Sequence, residues 1–361
     1  MTRLKELAKL GQSVWLDYIS RSLIASGELQ SLIGEGLGGI TSNPTIFEKA
    51  IAGSGEYDAD IRRLSAQGKS DIEIYEALAI DDIRRAADLL RTLHEESGGA
   101  DGYVSLEANP RLAYDTQGTV SEVRRLWKLL ARPNVMIKVP ATEAGIPAVE
   151  SLTAEGINVN ITLIFSLSHY DAVARAYTGG LEKLAATGGP VEKVASVASF
   201  FVSRIDTAVD RVLESRGARD LLGRIAVDYS KTVYSHFRGY LASPRWKDIA
   251  GKGARVQRLL WGSTGTKNPA YSDLLYVDHL IGPDTVNTLP PATLAAFRDH
   301  GRVAATLTEG LAEARARLSR LEALGISMDL TTRQLQDDGV AAFARSFEGL
   351  LKSIAEKRKK L

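Results

Sequence analysis

Short apolar segments alternate with amphipathic helical segments along most of the chain, and this alternation limits the fold more than any other feature of the sequence. A strand followed by a helix, repeated many times, is typical of a parallel sheet whose strands are covered by helices. Eight segments fit buried strands: Val14–Tyr18, Gly39–Thr41, Tyr103–Glu107, Val135–Val139, Asn158–Ile164, Val194–Phe201, Val256–Trp261 and Leu275–Ile281.

Eight such repeats predict an α/β fold of one kind, the (β/α)8 TIM barrel, in which the parallel sheet closes on itself. The alternative is an open, doubly wound sheet. No Gly-x-Gly-x-x-Gly motif follows the first predicted strand, and eight units suit a closed barrel. The sequence therefore favours the barrel.

The segments between the strands have helical periodicity. The longest of them starts with Ser70-x-x-Glu73, a capping box that satisfies backbone N–H groups at a helix start. The predicted helices between strands are Asp71–Glu96, Val120–Ala131, Glu143–Thr153, Ser168–Ala186 and Val202–Ser215.

Two additions decorate the predicted barrel. The segment Asp220–Lys252 is an insertion that contains a helix at Ile225–Leu241. Further helical stretches, expected to pack on the outside of the barrel, are Val303–Leu324 and Gly339–Lys360. We interpret residues 1–361 as one barrel domain in which residues 302–361 form a helical C-terminal extension.

The composition argues against several classes of function. Lys and Arg total 45 against 44 Asp and Glu, so the chain has no overall field that would attract nucleic acid. No run reaches the ~18 apolar residues that a membrane span needs. Cysteine is absent, which excludes disulfides, a thiolate nucleophile and cysteine-bound zinc. The first residues lack the apolar core of a signal peptide. A cytoplasmic protein is expected, with a homodimer among the possible assemblies.

Polar side chains lie at the carboxyl ends of the predicted strands, where TIM barrels place their active sites. In the fifth strand, Asn158, Asn160 and Thr162 alternate with apolar residues and are expected to point into the barrel. Taken alone, each polar residue has a structural alternative: Asn43 before Pro44, for example, fits a helix N-cap. The other candidates at this rim are Asp17, Glu107, Lys138, Ser199, Arg204, Ser263 and Lys267. Their common location predicts an active site.

Lys138 is flanked by valine, methionine and isoleucine in the fourth predicted strand. Burial disfavours the charged form of a lysine, and the free amine is the form that attacks a carbonyl carbon. The resulting iminium can accept the electrons of a breaking C–C bond, a reaction that also needs acid–base groups. Asp17 and Glu107 are the candidates for that role. The histidines form no His-x-x-x-His or comparable cluster, so neither a metal nor another cofactor is expected.

Six ordered motifs connect these residues to a known family. They are Trp15-Leu-Asp17, Gly39-Ile-Thr-Ser-Asn43-Pro44, Val104-Ser-Leu-Glu107, Ile137-Lys138-Val-Pro-Ala-Thr142, Asn160-Ile-Thr162-Leu-Ile-Phe165-Ser166 and Ser199-Phe-Phe-Val-Ser-Arg204-Ile-Asp206. In these motifs the chain resembles transaldolases, the enzymes of the pentose phosphate pathway that transfer a dihydroxyacetone unit between sugar phosphates. The resemblance covers roughly positions 14 to 267.

The resemblance implies a role for each matched residue. Lys138 would form the Schiff base with the ketose, and Asp17 would remove the proton from the C4 hydroxyl during cleavage. Glu107 and Thr162 would hold the water used in forming and breaking the imine. The residues implied to bind substrate are Asn43, Asn160 and Ser199 at the dihydroxyacetone unit and Arg204 at the phosphate.

One part of the sequence departs from the family pattern. Bacterial and eukaryotic members have a Ser-Phe-Arg type of sequence after the seventh strand, where this chain has Thr264-Gly265-Thr266-Lys267-Asn268. Lys267 aligns with the arginine and keeps its charge, although an ammonium binds phosphate less directionally than a guanidinium. Ser263 is the candidate for the serine.

Two other functions stay open on the sequence. Fructose-6-phosphate aldolases are similar in barrel and lysine, but they have tyrosine where Phe201 aligns, and Phe201 is therefore also a candidate site residue. A catalytically inactive barrel that acts as a binding protein is the alternative of another class. The presence of every motif residue that the chemistry needs argues against it.

Overall fold

A computed structural model describes all residues, Met1–Leu361, and shows a closed barrel of eight parallel strands in sequential order. Each strand pairs with the next along the chain, and the barrel closes where Gln12 of the first strand pairs with Thr285 of the last. The strands are β1 (Gln12–Asp17), β2 (Leu37–Thr41), β3 (Tyr103–Glu107), β4 (Val135–Pro140), β5 (Val159–Ile164), β6 (Ser196–Phe201), β7 (Arg258–Gly262) and β8 (Thr285–Leu289). The predicted (β/α)8 barrel is confirmed.

The eighth strand is the one strand that the sequence misplaces. The apolar run Leu275–Ile281 contains a short helix, α14 (Leu275–His279), whose Tyr276 and Val277 are buried. The true last strand, Thr285–Leu289, begins with a threonine whose hydroxyl accepts a hydrogen bond from Gln12. The prediction was wrong because hydrophobicity alone cannot distinguish a short buried helix from a buried strand, and β8 mixes three polar residues with Val286 and Leu289.

Helices cover the barrel, and most of those predicted between strands are present. The capping box at Ser70 and Glu73 is present, but the helix that it starts ends at Leu89 and a second one begins at Arg91. The helices, besides three 3-10 turns, are α1 (Arg3–Lys9), α2 (Arg21–Ala25), α3 (Glu28–Glu35), α4 (Pro44–Ala52), α5 (Asp58–Ala66), α6 (Asp71–Leu89), α7 (Arg91–Glu96), α8 (Thr116–Leu130), α9 (Gly145–Ala154), α10 (Leu167–Ala186), α11 (Ser203–Ser215), α12 (Ile225–Leu241), α13 (Pro244–Ala250), α14, α15 (Pro291–His300), α16 (Leu311–Ala323) and α17 (Met328–Lys360). None of them combines the length and apolar composition that crossing a membrane requires.

The barrel interior consists of two layers. The lower layer, toward the amino ends of the strands, is an apolar cluster that is separate from the main core: Trp15, Tyr103, Met136, Ala195, Val197, Leu260 and Val286. These residues come from six different strands, and only the inside of the barrel brings them together. Because strand side chains alternate, the inward residues two or four positions later belong to the upper layer. The upper layer comprises Asp17, Thr41, Ser105, Glu107, Lys138, Asn160, Thr162, Ser199 and Thr288.

The last helix, α17, lies over the carboxyl end of the barrel rather than along its outer wall, where the sequence placed the C-terminal helices. The side-chain amide of Gln336 donates to the backbone oxygens of Ala141 and Leu163, at 2.8 and 3.1 Å, just beyond β4 and near the end of β5. The helix also starts eleven residues before the predicted Gly339, at Met328, after an N-cap at Ser327. The first eleven residues of the helix were missed in the sequence because they are mostly polar and are followed by Gly339.

Candidate active site

Lys138 lies at the centre of the upper layer and is 4 % exposed. The pairing of β3 with β4 sets Glu107 directly beside it, and the lysine Nζ is 3.1 Å from Glu107 Oε2. The ammonium also donates a hydrogen bond to the backbone oxygen of Ser42, at 3.0 Å. The flanking residues along β4 are apolar, as the sequence indicated, but the lysine nitrogen itself contacts a carboxylate and a carbonyl.

Glu107 is a buried carboxyl group whose proton affinity is altered by its surroundings. Burial raises its pKa, and the neighbouring Lys138 only partly offsets this effect. Glu107 Oε2 receives no well-aligned hydrogen bond, and the hydroxyl of Thr162, also fully buried, has no hydrogen-bond partner. Buried polar atoms in folded proteins nearly always have partners. Glu107 and Thr162 therefore keep hydrogen-bonding capacity available for a bound molecule.

Asp17 is the second carboxyl group of the site. It is held by Thr41, whose hydroxyl donates to Asp17 Oδ1 at 2.8 Å and lies 2.7 Å from the hydroxyl of Thr288. Desolvation raises the pKa of Asp17, while Lys138, the Thr41 hydrogen bond and Lys267 lower it by smaller amounts. The sequence did not assign Thr41 or Thr288 a role. Thr288 could not have been found, because it lies on the strand that was misplaced.

Asn160 and Ser199 are joined inside the barrel. Ser199 donates to the Asn160 side-chain oxygen at 2.6 Å, and the Asn160 amide donates to Ser105 Oγ at 3.0 Å. Asn160 pairs in register with Lys138, so both are at the same height in the barrel. Asn158 does not join them. Its amide donates to the Pro133 carbonyl, and its oxygen accepts from the Ala195 N–H, so it fastens neighbouring strands at their amino ends.

Asn43 follows β2 and caps α4, the helix N-cap role that its position before Pro44 predicted. Its side-chain oxygen accepts a hydrogen bond from the Ile46 N–H at 3.0 Å, and Pro44 occupies the first helical position. The preceding residue, Ser42, supplies the carbonyl that binds Lys138. Asn43 is therefore next to the site, with its oxygen occupied and its amide group left to donate.

A phenylalanine and an arginine form one wall. The Phe201 ring packs edge-on against Phe165, with 5.4 Å between ring centroids, and the Arg204 guanidinium lies 5.3 Å from the Phe201 centroid. Arg204 forms no ion pair, and burial lowers its pKa despite the nearby Asp338. A desolvated guanidinium without a carboxylate partner is well suited to bind an anion.

The two candidate residues after β7 differ in what lies near them. Ser263 adopts a left-handed backbone, with φ of 54°, and its hydroxyl is 3.0 Å from that of Ser203, which precedes Arg204. This contact places Ser263 beside the start of α11. Lys267 is exposed, but it is near enough to lower the pKa of Asp17.

Two residues of α17 also belong to the surroundings of Lys138, and the sequence did not identify them. The Phe343 ring centroid is 5.9 Å from Lys138 Nζ, and Gln336 binds the two carbonyls at the barrel mouth. Their signal in the sequence is a buried stripe at helical spacing that mixes polar and apolar residues: Thr332, Gln336, Gly339, Val340, Phe343, Phe347, Leu350 and Ile354. The site contains no group of three or more His, Asp or Glu side chains arranged to hold a metal ion.

Comparison with known proteins identifies the family of the chain. The family model described as transaldolase/fructose-6-phosphate aldolase matches residues 14–354. The chain is 50% identical to a transaldolase from Thiobacillus denitrificans, over 97% of this chain and 99% of that protein. It is 48% identical to a transaldolase from Neisseria gonorrhoeae, with 97% and 99% covered, and 46% identical to transaldolase 2 from Nostoc sp., with 100% and 99% covered. The chain belongs to the transaldolase/fructose-6-phosphate aldolase family.

Proposed function

We propose that this chain is a transaldolase, which moves a dihydroxyacetone unit from sedoheptulose 7-phosphate or fructose 6-phosphate to glyceraldehyde 3-phosphate or erythrose 4-phosphate. The observation that carries the proposal is a buried lysine paired at 3.1 Å with a carboxyl group whose pKa is raised, and with a second such carboxyl group nearby. Full-length relatives named transaldolase support it.

The first step is attack by Lys138 Nζ on the C2 carbonyl of the ketose. The ammonium must first lose a proton, and Glu107 is close enough to take it. The carbinolamine then loses its C2 hydroxyl as water, with the proton supplied by Glu107, and a protonated Schiff base forms. The Thr162 hydroxyl, which has no protein partner, is suited to hold that water.

The second step is cleavage of the bond between C3 and C4. Asp17 takes the proton from the C4 hydroxyl, the aldehyde leaves, and the bonding electrons move into the iminium to give an enamine on Lys138. C3 of the enamine then attacks the carbonyl carbon of the acceptor aldehyde while Asp17 returns the proton to the aldehyde oxygen, which restores an iminium on Lys138. Water adds at C2 and the C2–N bond breaks, so the product ketose leaves and the amine is free again. Burial raises the pKa of Asp17, which makes its carboxylate a stronger base toward the C4 hydroxyl than an exposed aspartate would be.

The remaining residues would bind the substrate. Asn160 with Ser199, and the amide group of Asn43, are placed to contact the hydroxyls of the dihydroxyacetone unit. Arg204 would bind the phosphate, assisted by Ser263, which follows β7 and lies beside the start of α11, and by Lys267 from the rim.

A coupled assay tests the function directly. Fructose 6-phosphate and erythrose 4-phosphate should give sedoheptulose 7-phosphate and glyceraldehyde 3-phosphate, the latter followed through its reduction or oxidation. Rapid release of free dihydroxyacetone without any acceptor would instead identify a fructose-6-phosphate aldolase. Binding of sugar phosphates with no turnover would identify a catalytically inactive binding protein.

The proposal extends to the conditions under which the enzyme works. The mechanism uses no metal and no other cofactor, so activity should survive prolonged dialysis against EDTA, and a large loss restored by zinc would contradict it.

The proposed substrates are charged metabolites, which favours a cytoplasmic location. The balanced charge of the chain gives no reason to expect nucleic acid as a partner. A homodimer remains a prediction, which sedimentation equilibrium would test.

The single-domain interpretation is also part of the proposal, with residues 302–361 as its C-terminal extension. It is supported by the contacts of α17 with α4, α6, α11 and β5, which tie the extension to several parts of the barrel.

A further inference from the structure

The last helix presents one buried stripe to the mouth of the barrel, and its middle section is fixed by specific contacts. Gln336 binds the two strand-end carbonyls of Ala141 and Leu163. One turn later, Gly339 packs so closely that an added methyl group would lie 2.9 Å from a methyl carbon of Leu163. A glycine inside a helix costs about 1 kcal/mol relative to alanine. Its presence here is explained by this close approach.

The end of the helix is held by two ion pairs. Lys357 donates to the Ser54 carbonyl at 2.6 Å and lies 2.5 Å from Asp58, and Arg358 lies 2.5 Å from Asp71. These contacts hold the segment between Gly339 and Lys357 over the carboxyl end of the barrel.

Phe343 is the residue of that segment that faces the reactive lysine. Its ring is 5.9 Å from Lys138 Nζ and is 6 % exposed, so it is an apolar wall above the nitrogen. An aromatic face attracts a cation, both as the ammonium and as the iminium that would replace it. Together with Phe201, it gives the upper layer two aromatic walls formed from distant parts of the chain.

We propose that Phe343 shields C3 of the Lys138 enamine from protonation by water and so favours transfer to an acceptor over release of free dihydroxyacetone. This inference rests on the proposed transaldolase function. Hydrolysis requires a proton to add to C3 of the enamine, which regenerates an iminium. Water must then add at C2, and the C2–N bond must break to release dihydroxyacetone and the free amine. Water at C2 is needed to release the product of either route, so protonation at C3 is the step that separates the two. A ring above Lys138 Nζ limits the access of water that could protonate C3, whereas an aldehyde acceptor displaces water on binding.

Phe343→Ala and the milder Phe343→Leu test the role of the ring. The measured quantity is the rate of free dihydroxyacetone release from fructose 6-phosphate without acceptor, divided by the rate of transfer to erythrose 4-phosphate. We expect this ratio to rise about tenfold for Phe343→Ala and a few-fold for Phe343→Leu. The leucine variant keeps an apolar side chain of similar volume, so it remains informative if the alanine variant does not fold.

Phe347→Ala is the matched control. Phe347 is one turn further along α17 and is also buried, but it packs against Tyr75 instead of Lys138. Phe347→Ala should lower the free energy of unfolding as Phe343→Ala does, and it should leave the ratio of dihydroxyacetone release to transfer unchanged. An equal rise in both alanine variants would overturn the inference in favour of general loosening of the helix.

The two proposals fail in different ways. A wild-type protein that transfers, combined with an unchanged ratio in both Phe343 variants, overturns the shielding role alone. A wild-type protein that neither transfers nor forms an adduct on Lys138 overturns the proposed function, and the shielding role with it.

Discussion

The lower layer of the barrel interior is filled by interlocking apolar side chains, whereas the upper layer, two residues further along the strands, contains a lysine, two carboxyl groups and an amide. Asp17 lies two residues after Trp15 on β1, and Lys138 lies two residues after Met136 on β4. Most side chains of both layers are buried, and Asp17 is half-buried at the rim. In the lower layer burial stabilises the fold, while in the upper layer it raises the pKa of carboxyl groups and leaves polar atoms without partners.

The difference shows how one scaffold supplies both rigidity and reactivity. A polar layer with unsatisfied groups is costly to bury, and it persists only when the surrounding structure holds it in place. The lower layer and the hydrogen-bonded strands supply that support. Mutations in the two layers should therefore separate stability from activity.

The largest expected effect is in the upper layer, at Lys138. Lys138→Ala should lower turnover by a factor on the order of 10⁴ or more, because it removes the nucleophile. Borohydride added with fructose 6-phosphate should trap an adduct on Lys138 of the wild-type protein, located by peptide mass spectrometry.

Lys231 provides the internal control for that experiment. It is also buried, but it lies outside the barrel and donates to the Glu309 carbonyl. Lys231→Ala should keep the adduct. A label that maps to Lys231, or to any lysine other than Lys138, would show that the upper layer is not the reactive one.

The next largest effect is expected in the lower layer, on stability. Leu260→Ala should lower the free energy of unfolding by about 2–5 kcal/mol, because it leaves a cavity in the apolar cluster. Urea denaturation measures this loss, and activity per folded molecule should change little.

Thr162→Val is the corresponding change in the upper layer. It replaces a buried hydroxyl that has no partner, so stability should be unchanged or higher, while formation of the Schiff base should slow. If Leu260→Ala reduced activity and Thr162→Val reduced stability, the proposed division between the layers would be wrong.

A smaller effect is expected at the phosphate-binding edge of the upper layer. Arg204→Ala should lower kcat/KM for fructose 6-phosphate. The corresponding loss of transition-state stabilisation should be about 1.5–3 kcal/mol, the contribution of a hydrogen bond to a charged group. Exposed Lys267 should contribute less. Activity with unphosphorylated dihydroxyacetone donors is the control, and equal losses for both substrate types would indicate a structural role for the two cations.

The smallest effect concerns the apolar wall of the upper layer. Phe201→Tyr introduces a phenol that can orient water, where the present ring packs against Phe165 and Arg204. Release of free dihydroxyacetone should rise a few-fold and transfer should fall. Rates measured with and without acceptor give this partition, and an unchanged ratio would remove Phe201 from the control of water access.

The sequence predicts the barrel and most of the upper layer because both follow from local patterns. Apolar runs mark the first seven strands, and polar residues at their ends, such as Asp17, Glu107 and Lys138, mark the site. The failures come from non-local effects. The strand β8 is polar because Thr288 faces the site and because Thr285 and Asn287, on its other face, accept hydrogen bonds from Gln12 and Thr264. The helix α17 includes Gln336 and Gly339 in its buried face because it packs on strand ends. Neither reason can be read from a local pattern.

The seam between β1 and β8 also bears on how the enzyme must fold. The hydrogen bond from Gln12 to Thr285 joins residues 273 positions apart, so closing the barrel is among the most non-local steps in forming the chain's native contacts. Contacts between residues so far apart in the sequence form slowly, because a long loop must be closed first. The hydroxyls of Thr41 and Thr288 meet across the same seam and set the position of the Asp17 carboxyl. A chain with an open seam can already expose Lys138, yet it lacks a positioned acid–base group. Recovery of activity during refolding should therefore report closure of the seam, rather than collapse of the chain.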